Sequence, residues 1–492
     1  MKRALISVFL LLVLSSFAHA ELNIELLGVL DGENNGDEFG WYLANLGDIN
    51  GDGYGDFAIT AQDYPANGDS GRVYIYFGDE LRDLSPDMIL DNPGGVKWFG
   101  QSVCGLQDVT GDGCDEFLVG ALGYGVYLYF GGDPPDDSVD RVFYDPMYGY
   151  GFQLASGDVN NDCYSDFIVA GAGGHREMYV YLGSEVMDTV ADFILREFQV
   201  GLDGIATGDV NGDGYDDIVA DRGYDGTYQT LLYFGRDSLH SEPDVRFPRW
   251  WWKGGVGDVN ADGYDDIITG QRLYFGGEVI DTSNYLILEY ASYTAEVGRV
   301  NRDRYGDIVT DAHWFSSDQI YIYLGGDPVD SIYDWRSQIR TDNFGFDIAV
   351  VDMNADGVDE FLVSQLYYPD DLRRGRVYVY GGDTTTISVS DWTELGLPRD
   401  IVLYPNYPNP FNSSTVIEFS ISGPPRSSSS LKICNPHGQV VRTLLEMPLI
   451  PGRYHYVWDG TNEHGEEVSS GVYFISLNCG DEQRTRKALL IR

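Results

Sequence analysis

Positive charge is scarce in this chain. Lys and Arg number 31 against 78 Asp and Glu, a net charge of −47. An excess of that size works against nucleic acids and anionic membrane surfaces as partners. Histidine and methionine stand at 7 each and cysteine at 5. The histidines beyond residue 20 are scattered (His175, His240, His313, His437, His455, His464), and neither H-E-x-x-H nor G-x-S-x-G occurs. The sequence therefore offers no zincin or hydrolase signature. An odd cysteine count leaves at least one thiol free or paired to another chain. Long apolar runs are missing after residue 17, and the run at 4–17 is short for a spanning helix, which needs about 20 residues. Disorder is excluded, because 43% of residues are hydrophobic and fall in periodic strands.

What is abundant is a nine-residue acidic pattern. DINGDGYGD places Asp48, Asn50, Asp52 and Asp56 at positions 1, 3, 5 and 9, with the Tyr54 carbonyl at 7. Glycines between them let the chain curl so that the odd side chains converge. Hard oxygen donors at this spacing suit Ca²⁺, which takes about 6–8 oxygens in flexible geometry; Mg²⁺ demands a stricter octahedron. A bare Asp/Asn/Gly turn is the bland alternative.

Repetition argues against that alternative. The frame recurs as Asp108, Thr110, Asp112, Cys114, Glu116; as Asp158, Asn160, Asp162, Tyr164, Asp166; and as Asp209, Asn211, Asp213, Tyr215, Asp217. It returns as Asp258, Asn260, Asp262, Tyr264, Asp266 and as Asp352, Asn354, Asp356, Val358, Glu360. A further copy, RVNRDRYGD at 299–307, has Arg299 in place of the first carboxylate and is expected to hold no ion, with the Arg299 guanidinium near Asp303 and Asp307 standing in for it. Starts lie 60, 50, 51, 49, 41 and 53 residues apart. Such a period marks a solenoid or propeller.

The flanks decide between helix and strand. FAIT and RVYIYFG follow the first loop, FLVG and GVYLYFGG the second, and later copies read alike. Short β-branched and aromatic runs bounded by Gly, Asp and Pro are strands, which excludes an EF-hand. A fourth run precedes each new repeat at 88–90, 141–144, 192–195, 244–247, 285–288 and 334–339. Four strands per repeat of about 50 residues fit a propeller blade. The seventh blade lacks its fourth strand after RVYVYGG, and Asn23 to Leu30 (NIELLGVL) is expected to supply it.

Phe39-Gly40, Phe99-Gly100 and Phe344-Gly345, each followed by the acidic loop, with Gly120-Ala121 and Gly171-Ala172 closing the next strand, resemble the FG-GAP repeat. That family's integrin α-chains carry seven repeats as a β-propeller with Ca²⁺ in hairpin loops. The resemblance covers about residues 21–390 and implies six Ca²⁺ sites and an adhesion-type binding protein. Six such ions would offset about a quarter of the charge, so stability is expected to depend on calcium.

The ends differ in kind. Residues 1–20 read as a signal peptide: Lys2 and Arg3, an apolar run, then Ala18-His19-Ala20. The propeller is assigned to 21–383, a linker to 384–400 and a small Ig-like β-sandwich to 401–492, an all-β chain throughout. In the tail, Asn406 to Asn412, Trp458-Asp459-Gly460, Ser470 to Tyr473 and Lys487 resemble the sorting domain of the type IX secretion system. That implies a secretion machinery as partner and a secreted or surface location in a Gram-negative bacterium. The tail departs from the family at Cys434-Asn435. Cys434 with Cys479 is a candidate bridge, and Cys104 reads as a buried apolar position.

If the acidic loops join strands 1 and 2, the opposite end carries Trp98, Arg176, Arg222, Trp250, Trp251, Trp252, Lys253, Trp314, Arg373 and Arg374. Aromatics with arginine anchor interfaces, so this end is the candidate site for an extracellular protein or glycan. The alternatives are packing between blades with local ion pairs, a polysaccharide lyase or glycosidase built on the propeller, or a purely structural module. No catalytic pair is nominated.

Overall fold

The computed structural model describes residues 22–65, 68–79, 84–144, 149–171, 177–184, 187–196, 202–222, 229–248, 254–291, 294–312, 319–339, 341, 343–368 and 372–383. In the tail it describes 401–404, 406, 408–412, 414–421, 426–436, 439–449, 452–462, 468–479 and 482–491. The expected leader and linker lie outside these residues. The chain divides into two compact units, the first ending at Thr384.

Seven four-stranded antiparallel sheets make up the first unit. Blade 1 is typical: Phe39–Gly47, Asp56–Ala61, Arg72–Tyr76 and Met88–Asp91 follow one another from the axis outward. The inner strands of the other blades are Phe99–Leu106, Gln153–Gly157, Leu202–Gly208, Val256–Gly257, Ala295–Gly298 and Phe344–Val351. Each packs against the next, and the last packs against the first, so the sheets form a closed ring, a seven-bladed β-propeller. The inner strands surround a cavity of about 300 Å³ whose walls include Cys104, Ser156, Thr207 and Glu296. Cys104 is thus half-buried and faces this cavity, its thiol 3.3 Å from Ser156 Oγ. It is not sealed in the apolar core as the sequence suggests.

The N-terminal strand closes the ring. Glu25–Asp31 pairs with Arg376–Gly381 as the outermost strand of blade 7. The closure is clamped by Arg376, which chelates Asp31 at 2.6 and 2.9 Å and stacks 3.5 Å over the Tyr368 ring. Arg72 reaches back to Glu33 at 2.9 Å.

Packing repeats with the sequence. Phe57, Phe117, Phe167 and Phe361 begin their second strands and stack on Tyr76, Tyr129, Tyr181 and Tyr380 at 4.7–5.0 Å. Such pairs are worth about 0.5–1.5 kcal/mol beyond the area they bury. The glycine after each inner-strand Phe is where neighbouring blades touch. Gly100 has φ +83°, and a Cβ there would stand 3.1 Å from Thr60 and Val73 of the preceding blade.

The second unit has sheets of three and four strands: Ile401–Leu403, Thr415–Ile421 and Gly452–Trp458 in one, Val440–Leu449, Arg426–Cys434, Gly471–Cys479 and Glu482–Leu490 in the other. This is the small two-sheet β unit read from the sequence, with one apolar core. Its core centres on Trp458, fully buried between Phe411 and Tyr473, with Nε1 donating to Thr461 O. Asn406 and Asn409 are structural here: Asn409 Nδ2 donates to Lys487 O and its Oδ1 accepts from Leu489 N. The expected Cys434–Cys479 bridge does not form. Cys434 pairs with Phe474 and Cys479 with Ser429, five residues apart along neighbouring strands. That separation is about 16 Å, far beyond the roughly 4.4–6.8 Å a disulfide needs. None of the five cysteines is in a disulfide.

Candidate metal centres

Each acidic loop joins strands 1 and 2 of its blade. The first aspartate organises it by accepting two backbone N–H groups. Asp48 takes Asp52 N at 3.0 Å and Gly53 N at 2.8 Å, and Asp108, Asp158, Asp209, Asp258 and Asp352 do the same in their loops. Position 3 continues the curl: the Oδ1 of Asn50, Asn160, Asn211, Asn260 and Asn354 accepts the N–H of position 5. The aspartates at position 5, such as Asp52, Asp162, Asp213 and Asp262, are exposed. Positions 4 and 6 adopt positive φ even without glycine, as at Asn161, Cys163, Ala261 and Ala355. Position 7 lies half-buried at Tyr54, Tyr164, Tyr215 and Tyr264 and buried at Cys114 and Val358.

Position 9 divides the loops into two classes. Asp56, Asp166, Asp217, Asp266 and Asp307 are fully buried and bond two backbone amides each. Asp56 accepts Ile49 N at 2.9 Å and Gly78 N at 2.8 Å, and the other four repeat this on the residue after position 1 and the glycine after strand 3. Glu116 and Glu360 hold the first of these amides, through Val109 N at 2.7 Å and Met353 N at 3.2 Å. Glu360 Oε1 accepts Asn354 Nδ2. Glu116 Oε1 is buried with no hydrogen-bond partner, as is Thr110 Oγ1 in the same loop. Asp108, Asp112 and Glu116 bring carboxylate oxygens within 4.8 Å of one another, the one such group among the described residues.

Burial dominates the electrostatics. It pushes Asp56 and Asp217 up to about 8 and Asp166, Asp266 and Glu116 up to about 7, against the pull of their amide donors. The hydroxyl of Thr110 also lies near enough to Glu116 to favour its charged form. A buried carboxylate cluster of this kind is stable when charged only with a cation beside it. The donor set, all oxygen and mostly carboxylate, fits Ca²⁺.

Position 8 is a feature the sequence reading passed over. Asp115, Asp216 and Asp359 reach across to the preceding blade and accept its position-1 backbone N–H: Asp48 N and Asp158 N at 2.8 Å, Arg299 N at 2.6 Å. Their own N–H groups donate to the carbonyls of Asp48, Asp158 and Arg299, and Asp265 N donates to Asp209 O. These aspartates are clamps between blades. A second set closes the hairpin of strands 3 and 4. Asp87, Asp140, Asp192, Asp244 and Asp334 each accept the N–H ten residues earlier, from Phe77, Phe130, Leu182, Phe234 and Leu324. The constant interval of ten was the available signal. Much of the negative charge is therefore architectural, outside any ion site.

Arg299 also faces the next blade. Burial raises Asp352 and Asp359 of the next loop, and the positive charge of Arg299 offsets part of that rise. The reason is the clamp: Asp359 bonds Arg299 N and so draws that neighbouring loop alongside.

At the opposite end, the 2–3 loops meet the connections that enter the next blade. Trp98 is half-buried at φ +52°, and its N–H donates to Asp69 O at 2.8 Å. Lys97 pairs with Asp69 at 2.9 Å. Arg373 pairs with buried Glu38, and Arg374 Nε donates to Gly32 O. These two arginines thus serve ring closure. Arg222 ends the second strand of blade 4. Arg176, Trp250, Trp251, Trp252, Lys253 and Trp314 lie outside the described residues.

Known families match in pieces. The FG-GAP repeat matches residues 39–76, an FG-GAP-like repeat 158–220 and the FlgD Ig-like domain 409–482. Integrin alpha-4 of Xenopus laevis is 38% identical over 121 residues, 23% of this chain and 11% of that relative. Integrin alpha-7 of Homo sapiens is 42% identical over 86 residues, 17% of this chain and 7% of that relative. The chain thus spans about a tenth or less of the length of these relatives. Among solved structures, one described as PorZ, an essential bacterial surface component of the type-IX secretion system of Porphyromonas gingivalis, is similar at 13% identity and TM-score 0.39. The match covers 94% of this chain and 60% of that one. Residues 39–76 and 158–220 are thus similar to repeats of the FG-GAP kind, and stretches of the chain are similar to integrin alpha chains, within an all-β propeller.

Proposed function

We propose that this chain is an exported, calcium-stabilised propeller that binds an extracellular protein or glycan. The observation that carries the metal reading is the second loop, where three carboxylates converge around buried oxygens without partners. Asp48, Asn50, Asp52, Asp56 and their counterparts in the other five acidic loops would hold the ions. The 299–307 loop, lacking the first carboxylate, would hold none. Bound cations would offset the repulsion between buried carboxylates and fix the hairpin tips, leaving the opposite end as a rigid recognition face.

On this reading Trp98, Arg222 and the loops carrying Arg176, Trp250, Trp251, Trp252, Lys253 and Trp314 form the ligand face. Arg373 and Arg374 support it through ring closure. Residues 1–20 direct export, 21–383 form the propeller, 384–400 the linker, and 401–492 engage a secretion machinery of the type IX kind. The mature protein would be secreted or displayed on the surface of a Gram-negative bacterium. Support for this comes from the FG-GAP repeats shared with integrin alpha chains, while the described residues contain no helix long and apolar enough to cross a membrane.

Metal analysis of the purified full chain tests the first part. About six calcium ions per chain, lost on chelation, are expected; none bound would overturn it. Screening against arrays of glycans and acidic peptides tests the second part. Trp251→Ala with Trp252→Ala should abolish any binding found, and retained binding would move the ligand face elsewhere.

A further inference from the structure

The acidic loops are not equivalent, and the difference lies in the residues at positions 3 and 9. In the five loops ending in aspartate, both carboxylate oxygens of position 9 bond backbone amides. A cation there must share an oxygen already engaged. Glu116 holds the same first amide, Val109 N, through Oε2 alone. Its longer side chain leaves Oε1 buried and unpartnered beside Asp108 and Asp112. Glu360 shows that length by itself is insufficient. Its spare oxygen accepts Asn354 Nδ2 at 3.0 Å, an amide donor that the second loop replaces with Thr110. Thr110 Oγ1 is itself buried without a partner.

We propose that the second loop is the tightest cation site of the ring and fills first with a hard divalent cation, and that Glu116 and Thr110 together are the residues that select it. The proposal rests on the calcium reading above and goes beyond it by ranking the loops. Glu116 Oε1 holds no backbone amide and no Asn side chain, so a cation can bind there without breaking a bond of either kind. In the aspartate loops, and in the loop of Glu360, an existing bond must be shared or broken. Pre-placed donors of this kind favour affinity by removing a reorganisation cost.

The test is a calcium titration of the chelator-stripped full chain in competition with a chromophoric chelator. One equivalent should bind about tenfold or more tightly than the remainder. Glu116→Asp rebuilds the aspartate arrangement and Thr110→Asn supplies the capping amide of the seventh loop. Each should merge that equivalent into the weaker class while leaving the total bound unchanged or lower by one. Both variants copy arrangements the ring already contains, and a thermal melt in saturating calcium confirms folding. A single class of sites in the wild type, or a tight class that survives Glu116→Asp, would overturn the ranking and leave the calcium reading intact. No calcium binding at any loop would overturn the calcium reading itself.

Discussion

Chelating divalent cations should destabilise the propeller, and more so as the pH rises. Burial lifts Asp56 and Asp217 to about 8 and Asp166, Asp266 and Glu116 to about 7. In the unfolded chain the same groups ionise near 4. Between about pH 4 and pH 8 the metal-free folded state therefore holds more protons than the unfolded state. Stability from these groups is present below the unfolded value and is lost as the pH climbs through the folded one. Carrying one carboxyl from 3.8 to about 8 corresponds to roughly 6 kcal/mol in a site unable to relax. Even a fifth of that, about 1 kcal/mol per loop, summed over five loops amounts to a fall in Tm on the order of 10 °C. A bound cation reverses the balance and adds about 2.7 kcal/mol for each site held at a hundred times its Kd. The assay is thermal unfolding of the full chain at about pH 6 and about pH 8, with calcium and with chelator. The chelated Tm should drop between the two pH values and the calcium-loaded Tm should hold. Calcium binding near pH 7 should also release protons into a weakly buffered solution. A chelated Tm that stays level or rises with pH, or an equal drop in calcium, would refute the argument that these carboxylates are buried without compensating charge.

Other perturbations address separate features. Asp216→Ala removes the acceptor of Asp158 N and should cost about 1–3 kcal/mol in urea unfolding. Asp216→Asn keeps an acceptor oxygen and should cost less than half as much. Arg376→Ala loses the chelated Asp31 and the stacked Tyr368 at the closing blade. A loss of about 1–2 kcal/mol is expected, with earlier proteolysis at the N-terminal strand as the local readout. Because Cys434 and Cys479 lie too far apart to bridge, a reducing agent should leave the Tm unchanged, and denatured protein should titrate five thiols.

The strands were legible because their pattern is local. A run such as RVYIYFG bounded by glycine and aspartate is a strand whatever surrounds it, and four such runs in each repeat of about 50 residues gave the blade. Even closure by the N-terminal strand could be read, from a missing fourth strand at one end and a spare one at the other. What could not be read is which aspartate does what. Asp216 and Asp217 are neighbours of one residue type. The first clamps the preceding blade, whereas the second folds back on its own loop through Val210 N and Gly235 N. That assignment depends on the distance between blades, which no single repeat encodes. The same limit applies to the effect of Arg299 on the next loop, and to Arg373, whose partner Glu38 lies at the other end of the chain. The cysteine pairing failed for a related reason: register along the strands, not sheet adjacency, separates Cys434 from Cys479.

The clasp between Asp31 and Arg376 joins residues 345 positions apart. Translation makes the first strand before anything else in the ring and makes its partner last. Throughout synthesis the nascent chain is an open arc of stacked blades with one bare edge, and the earliest segment waits unpaired. No truncated product that stops short of Arg376–Gly381 is a finished propeller. Two such arcs present complementary free edges, so at high concentration the route to closure inside one chain competes with exchange between chains. Arrival of the Arg376–Gly381 strand is thus the event that turns an association-prone arc into a self-contained ring.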